Sequence, residues 1–310
     1  MAEDRIIAYG GQAVIEGVMM RGRHAFAIAM RAPDGTIAVH TDKLSAIYRS
    51  RASRVPFLRG LVLLWDALGL GMRALTLSAN TQTGEDHKLE GPALYLTLAL
   101  SLTLGMGLFF ILPAALGGWV EHMRLPGGAD PTALLWAGNL VEGVARLVLL
   151  VGYIWAIGHM PDIRRLYGYH GAEHKTINAF EAGAELSVES VAKFPLEHPR
   201  CGTAFLLTLV LLSILAFTLL GPMPIGLRLA SRLLLIPVLA GVAVEYIRWT
   251  ARNLASPIVR WLIRPNLALQ RLTTREPDDS MLEVAIAAFR AMREAEARTR
   301  QVLQSPAPAA

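Results

Sequence analysis

Four long apolar runs punctuate a chain that is otherwise mixed in polarity. Residues 93–117 are almost wholly apolar, and residues 134–158 are apolar apart from Asn139, Glu142 and Arg146. Residues 203–221 and 226–247 are separated by Gly221-Pro222-Met223-Pro224, a tight turn. Each run approaches the roughly twenty residues a helix needs to cross a bilayer. The pattern predicts a mainly α, polytopic membrane protein with about four transmembrane helices. The last run carries Arg228 and Arg232 near its start and Glu245 near its end, and Pro237 predicts a kink.

Residues 1–55 contain no such run and read as a small cytosolic α+β region. Phe26 to Arg31 and Thr36 to Thr41 flank Pro33-Asp34-Gly35, the signature of a β-hairpin. Upstream, the glycines of Gly10-Gly11-Gln12-Ala13-Val14-Ile15-Glu16-Gly17 predict tight turns and close backbone approach. In residues 56–79, Arg59, Asp66 and Arg73 recur every seven residues and share one stripe of a helix. That predicts an amphipathic interfacial helix, with a true span as the alternative, followed by a polar linker to residue 91. Beyond the last run, Ser280-Met281-Leu282-Glu283 predicts a capping box opening a helix to about Arg298. Its face of Leu282, Ala285, Ile286 and Phe289 is expected to pack on the cytosolic region. The expected organisation is 1–55 cytosolic with the hairpin, 56–91 interfacial helix and linker, and 92–158 first and second spans. It continues with 159–202 as a cytosolic segment, 203–247 as third and fourth spans, 248–304 as cytosolic helices and 305–310 as a frayed tail.

Composition supports the membrane reading: 53% of residues are hydrophobic and mean hydropathy is +0.40. The net charge of +5 does not point to nucleic acid, because the basic residues flank apolar runs and no RNA-binding motif accompanies them. Residues 1–92 hold eleven Lys or Arg, 118–133 one, 159–202 five and 248–310 ten. The positive-inside rule then puts both termini and the 159–202 segment in the cytoplasm. The start lacks a basic stretch followed by an apolar one, so no cleavable signal peptide is expected. Cys201 is the only cysteine, which excludes a disulfide within the chain.

Chemistry concentrates in His170-Gly171-Ala172-Glu173-His174. Histidines four apart on a helix share a face and reach one divalent ion, and the neighbouring Glu173 can serve as general base. This is the H-x-x-E-H pattern of the inverted zinc peptidases. The bland alternative is a polar surface pair. A catalytic zinc takes three protein ligands, and the third is open between Glu245 and His198. By analogy, the inverted zinc peptidases take a glutamate from a later helix. Cys201, in His198-Pro199-Arg200-Cys201-Gly202, is a further candidate ligand or else a buried small hydrophobe. Glu181 lies about 10 Å further along the helix from His174, too far for the same ion. Glu142 and Arg146 have the spacing of an intrahelical ion pair, with an ion path as the alternative. Glu16 reads as a carboxylate capping backbone amides or facing the metal site, and Arg200 as a solvated or anion-binding loop residue.

Three stretches together resemble the YqhQ-like bacterial membrane family: Gly11 to Gly22, Tyr169 to Thr176 and His198 to Thr203. The resemblance spans roughly residues 8 to 295. It implies a predicted metal-dependent enzyme in the bacterial inner membrane, with no substrate attached. It also implies an acid in the last span, matched by Glu245, and members often carry Asp where Glu142 stands. Three functions compete. One is a zinc-dependent membrane hydrolase acting on a peptide or protein. The second is a non-enzymatic membrane protein with a structural or sensory metal site. The third is a metal or small-solute transporter, for which four spans would need a homo-oligomer. Iron or manganese would also suit imidazole and carboxylate ligands.

Overall fold

The computed structural model describes residues 9–45, 55–83, 91–123, 130–221 and 223–304. The expected tail at 305–310, most of the polar linker and Pro222 lie outside the described residues.

Four strands form an antiparallel meander in the order β1 (Gly10–Val14), β2 (Gly17–Arg21), β3 (Ala25–Arg31) and β4 (Ile37–Lys43). The expected hairpin is β3–β4. Asp34 Oδ1 accepts the Thr36 N–H at 2.9 Å, and Gly35 supplies the left-handed φ of +86° that the turn requires. The glycine-rich stretch before it is itself a hairpin, β1–β2, whose two-residue turn holds Glu16 at φ +53°.

Helices cover both faces of this sheet. Val18, Met20, Ala27 and Ala29 face α5 (Pro161–Glu181) and α11 (Asp279–Gln304), sharing a core with Tyr169, Ile177, Leu282 and Phe289. The alternating set Val14, Met19, Phe26, Ile28 and Met30 faces α1 (Leu58–Thr83) and packs on Leu70 and Ala74. Because β3 is buried on both faces, it reads as an unbroken apolar run with no alternation of polarity.

Among the described residues four helices are long and apolar enough to cross a membrane. The first is composite: α2 (Gly91–Met106) passes through a π-helical turn at Gly107–Ile111 into α3 (Leu112–Glu121). The others are α4 (Pro131–Ile157), α7 (Gly202–Leu220) and α8 (Ile225–Arg252), the last with Pro237 in its interior. Leucines such as Leu100, Leu219 and Leu234 are exposed on their outer faces, as lipid contact requires. A Cβ on Gly117 would lie 2.6 Å from the Gly138 carbonyl, so small residues let α3 and α4 approach closely.

Helix α1 is not one of these four spans. Its first turn crosses α8 where Gly60 meets Gly241, and its second half lies on the sheet. The stripe of charges is divided accordingly: Arg59 binds Glu245 on α8, and Arg73 binds Asp42 on β4. The cap of α11 corrects the capping-box expectation. Asp278 accepts from the Met281 N–H at 2.9 Å and from the Ser280 hydroxyl at 2.6 Å, while Glu283 turns away to Arg31 at 2.8 Å. A carboxylate one turn before the apolar face competes for the same orphan amides, and it sits two residues nearer the chain's entry. The apolar face itself, with Leu282, Ala285, Ile286 and Phe289, is buried as its periodicity predicts.

Candidate metal centre

Helix α5 opens on Pro161 and stops at Gly183, which takes a φ of +75°. It therefore spans the whole His170–His174 segment, and the two imidazole rings meet edge-to-face, 4.4 Å between centroids and 63° between planes. Each ring is fixed from outside the helix. His170 Nδ1 contacts the Thr273 carbonyl at 2.8 Å, and His174 Nδ1 contacts the Leu196 carbonyl at 2.5 Å. A ring whose Nδ1–H is given to a carbonyl presents Nε2 as its lone-pair nitrogen, the usual tautomer of a metal-ligating histidine.

The third member comes from a different element. Cys201 is the N-cap of α7, with the Thr203 N–H 3.4 Å from its sulfur, a position that suits a negatively charged ligand. His170 Nε2 lies 3.2 Å from Cys201 Sγ. One ligand atom each from His170, His174 and Cys201 lie within 4.8 Å of one another, and this is the three-residue group found among the described residues. His174 Nε2 is buried and finds no hydrogen-bond partner there.

The segment that delivers Cys201 is tied down by its own backbone. Lys175 donates to the Ala192 carbonyl at 2.7 Å, and Asn178 donates to the carbonyls of Pro195 and Glu197 at 2.9 and 3.1 Å. Gln270, on α10 (Arg264–Thr273), takes the His198 N–H and returns its amide to the His198 carbonyl, both at 2.9 Å. A Cβ on Gly171 would come within 2.2 Å of the Arg275 carbonyl, so this glycine lets α5 press against the segment that anchors His170.

Glu173 is 5% exposed. Burial pushes its carboxyl up to about 7, against the opposing pull of His170 and of the Gly11 N–H. Its Oε2 has no partner among the described residues. Gly11 cradles it: a Cβ there would lie 2.8 Å from Glu173 Cδ and 2.6 Å from the Met19 carbonyl. A cavity of about 190 Å³ opens beside this carboxyl, walled by Gly11, Gln12, Arg21, Glu173, His198 and Cys201 among others. Nothing in the spacing of the motif points to Gly11. Its signal was the run of glycines in β1.

The remaining candidates lie elsewhere. Glu245 is not among the converging ligand atoms, because Arg59 holds its carboxylate through two hydrogen bonds, one of them at 2.5 Å. His198 borders the centre, its ring 5.7 Å from that of His174, but its Nε2 faces Glu181 Oε2 at 3.8 Å. Burial holds His198 below the usual histidine range even with Glu181 alongside. Glu181 itself is held below the usual carboxylate range: burial works the other way, but His198 and Arg200 outweigh it. Arg200 is thus neither solvated nor free, being paired with Glu181. Glu16 is engaged by other partners, bound by Arg165 and by the Tyr169 hydroxyl at 3.2 Å. Within the membrane bundle Arg146 binds Glu142 at 3.1 Å as their spacing predicts, and Arg232 joins them at 3.2 Å.

Two comparisons with known proteins bear on this arrangement. The profile of a protein family of unknown function, DUF1385, matches residues 55–295. The uncharacterized protein YqhQ of Bacillus subtilis (strain 168) is 34% identical, with 95% of each chain covered. No solved structure matches.

Proposed function

This chain belongs to the DUF1385 family, and from that premise we propose that it is a metal-dependent hydrolase of the membrane boundary, cleaving a peptide or protein substrate. One observation carries the reading. Two imidazoles with their Nδ1 atoms committed to carbonyls, and one cysteine sulfur, bring ligand atoms within 4.8 Å of one another beside a buried carboxyl. A set of two imidazoles and one thiolate leaves a coordination position open and suits zinc. When bound, such an ion lowers the pKa of a coordinated water and polarises a carbonyl.

The side chains would divide the rest of the work. Glu173, which lines the cavity and whose Oε2 has no partner among the described residues, takes the proton from the attacking water and returns it to the leaving amine. Gly11, having no side chain, leaves the room that this carboxyl occupies. The cavity walls exclude bulk water, and its volume of about 190 Å³ admits a short stretch of substrate at a time. We further infer a bacterial cytoplasmic-membrane location with both termini cytoplasmic, from the distribution of Lys and Arg.

The test compares cells expressing wild type with cells expressing Glu173→Gln or His174→Ala, reading membrane-protein fragments by mass spectrometry and metal content on the purified chains. Fragments present with wild type and missing with both variants support the proposal, provided Glu173→Gln keeps its metal. Identical fragment sets, with the metal retained by Glu173→Gln, would leave a structural or sensory metal site as the better reading.

A further inference from the structure

We propose that the buried arginines of the membrane bundle hold a small monovalent anion, of the halide class, beside Asn139. Glu142, Arg146, Arg232 and Asn139 are 1%, 6%, 4% and 4% exposed. The single carboxylate of Glu142 serves two guanidinium groups: Arg146 at 3.1 Å from its own helix, and Arg232 of α8 at 3.2 and 3.3 Å. The neighbouring pair, Arg228 with Glu121 at 2.5 Å, closes its own charge. Among the described residues, two arginines and one glutamate therefore leave one positive charge uncompensated inside the apolar bundle.

Neutral groups soften that charge without cancelling it. Arg146 Nε donates to the Phe109 carbonyl, in the π-helical turn, at 3.1 Å. The Phe217 ring lies 4.3 Å from Arg232 Cζ. Asn139 gives its Oδ1 to Arg232 at 3.3 Å, and its buried Nδ2 finds no acceptor among the described residues. An unmatched cation and an orphan N–H share one want, an acceptor bearing negative charge. One unit of charge matches a monovalent ion, and the close packing of Gly143 on Ile214, where a Cβ would meet it at 3.0 Å, argues for a small one.

The site is separate from the metal centre. Asn139 and Glu142 lie in the first half of α4 and Arg232 in the first third of α8, whereas the histidines belong to α5, which follows the other end of α4 in the chain. Its test is therefore independent of the hydrolase reading.

The full chain is purified in detergent in sodium gluconate, and Tm is followed as chloride or bromide replaces gluconate at constant ionic strength. Wild type should gain stability saturably with halide. Asn139→Ala, which changes no charge, should raise the midpoint concentration by about tenfold, the loss of one hydrogen bond to an ion. Glu142→Gln, which adds an unmatched charge, should lower it. Should Glu142→Gln fail to fold, Asn139→Ala decides. A wild-type Tm equal in gluconate and halide overturns the proposal, as does a halide response that Asn139→Ala leaves unmoved.

Discussion

Gly11→Ala is the substitution whose consequence follows most directly from geometry. The new methyl would lie 2.6 Å from the Met19 carbonyl and 2.8 and 2.9 Å from Cδ and Cγ of Glu173. Neither neighbour can yield cheaply: Met19 belongs to the adjoining strand and Glu173 is buried. Overpacking of this kind costs about 1–3 kcal/mol. That corresponds to a fall in Tm of roughly 2–6 °C in a chain of this size. Thermal unfolding in detergent measures it. The decisive form is the double-mutant cycle with Glu173→Ala, which removes Cγ and Cδ and hence one of the two clashes. The two changes should be non-additive by about 1 kcal/mol or more, because they remove atoms in contact. Additive effects would mean that Gly11 does not cradle the carboxyl, and the positioning argument would fall.

Three further outcomes follow from contacts around the centre and the bundle. Gln270→Leu strands the His198 N–H and carbonyl in a buried loop, at a cost of about 2–4 kcal/mol. Because Cys201 is the sole cysteine, its alkylation by N-ethylmaleimide under native conditions reports the loosened loop, and an unchanged rate would count against the clamp. Asp278→Ala should destabilise α11 by about 1 kcal/mol at neutral pH, with Ser280→Ala nearly silent. Hydrogen bonds from Ser280 and Met281 outweigh burial and hold Asp278 below the usual carboxylate range. The cap's contribution is therefore complete above about pH 4 and disappears as pH falls through the lowered folded value, so the variant's deficit should vanish in acid. Glu142→Leu leaves two buried guanidinium groups without a carboxylate and should cost about 3–5 kcal/mol; a Tm near wild type would mean that Glu142 is not their counter-charge.

The elements that could be read from the chain were those set by local pattern. The four spans announced themselves by length, the β3–β4 hairpin by Pro33-Asp34-Gly35, and the second half of α5 by the proline-free stretch from Tyr169 to Glu181 before Gly183. The pairing of His170 with His174 is a matter of helical pitch alone. What escaped depended on partners distant in sequence. The β1–β2 hairpin looked like a string of turns, because its glycines answer to close neighbours, Gly11 to Glu173 and Gly17 to the Ala29 carbonyl, and carry no strand signal of their own. Glu245 had the placement expected of a ligand, yet Arg59, 186 residues earlier, takes its carboxylate. Cys201 had the profile of a small buried hydrophobe, and only the folding of residues 192–200 along α5 brings its sulfur to His170. Glu142 acquired its second arginine from 90 residues away.

Cobalt substitution of the purified chain asks whether His170, His174 and Cys201 hold a metal, since the Cys201 sulfur gives the ion a spectroscopic signature that imidazole and carboxylate lack. One cobalt per chain is expected, with an intense thiolate-to-metal charge-transfer band, abolished in Cys201→Ser and retained in Glu245→Gln. A chain that takes up no divalent ion, or one whose binding survives Cys201→Ser and is lost in Glu245→Gln, would contradict it.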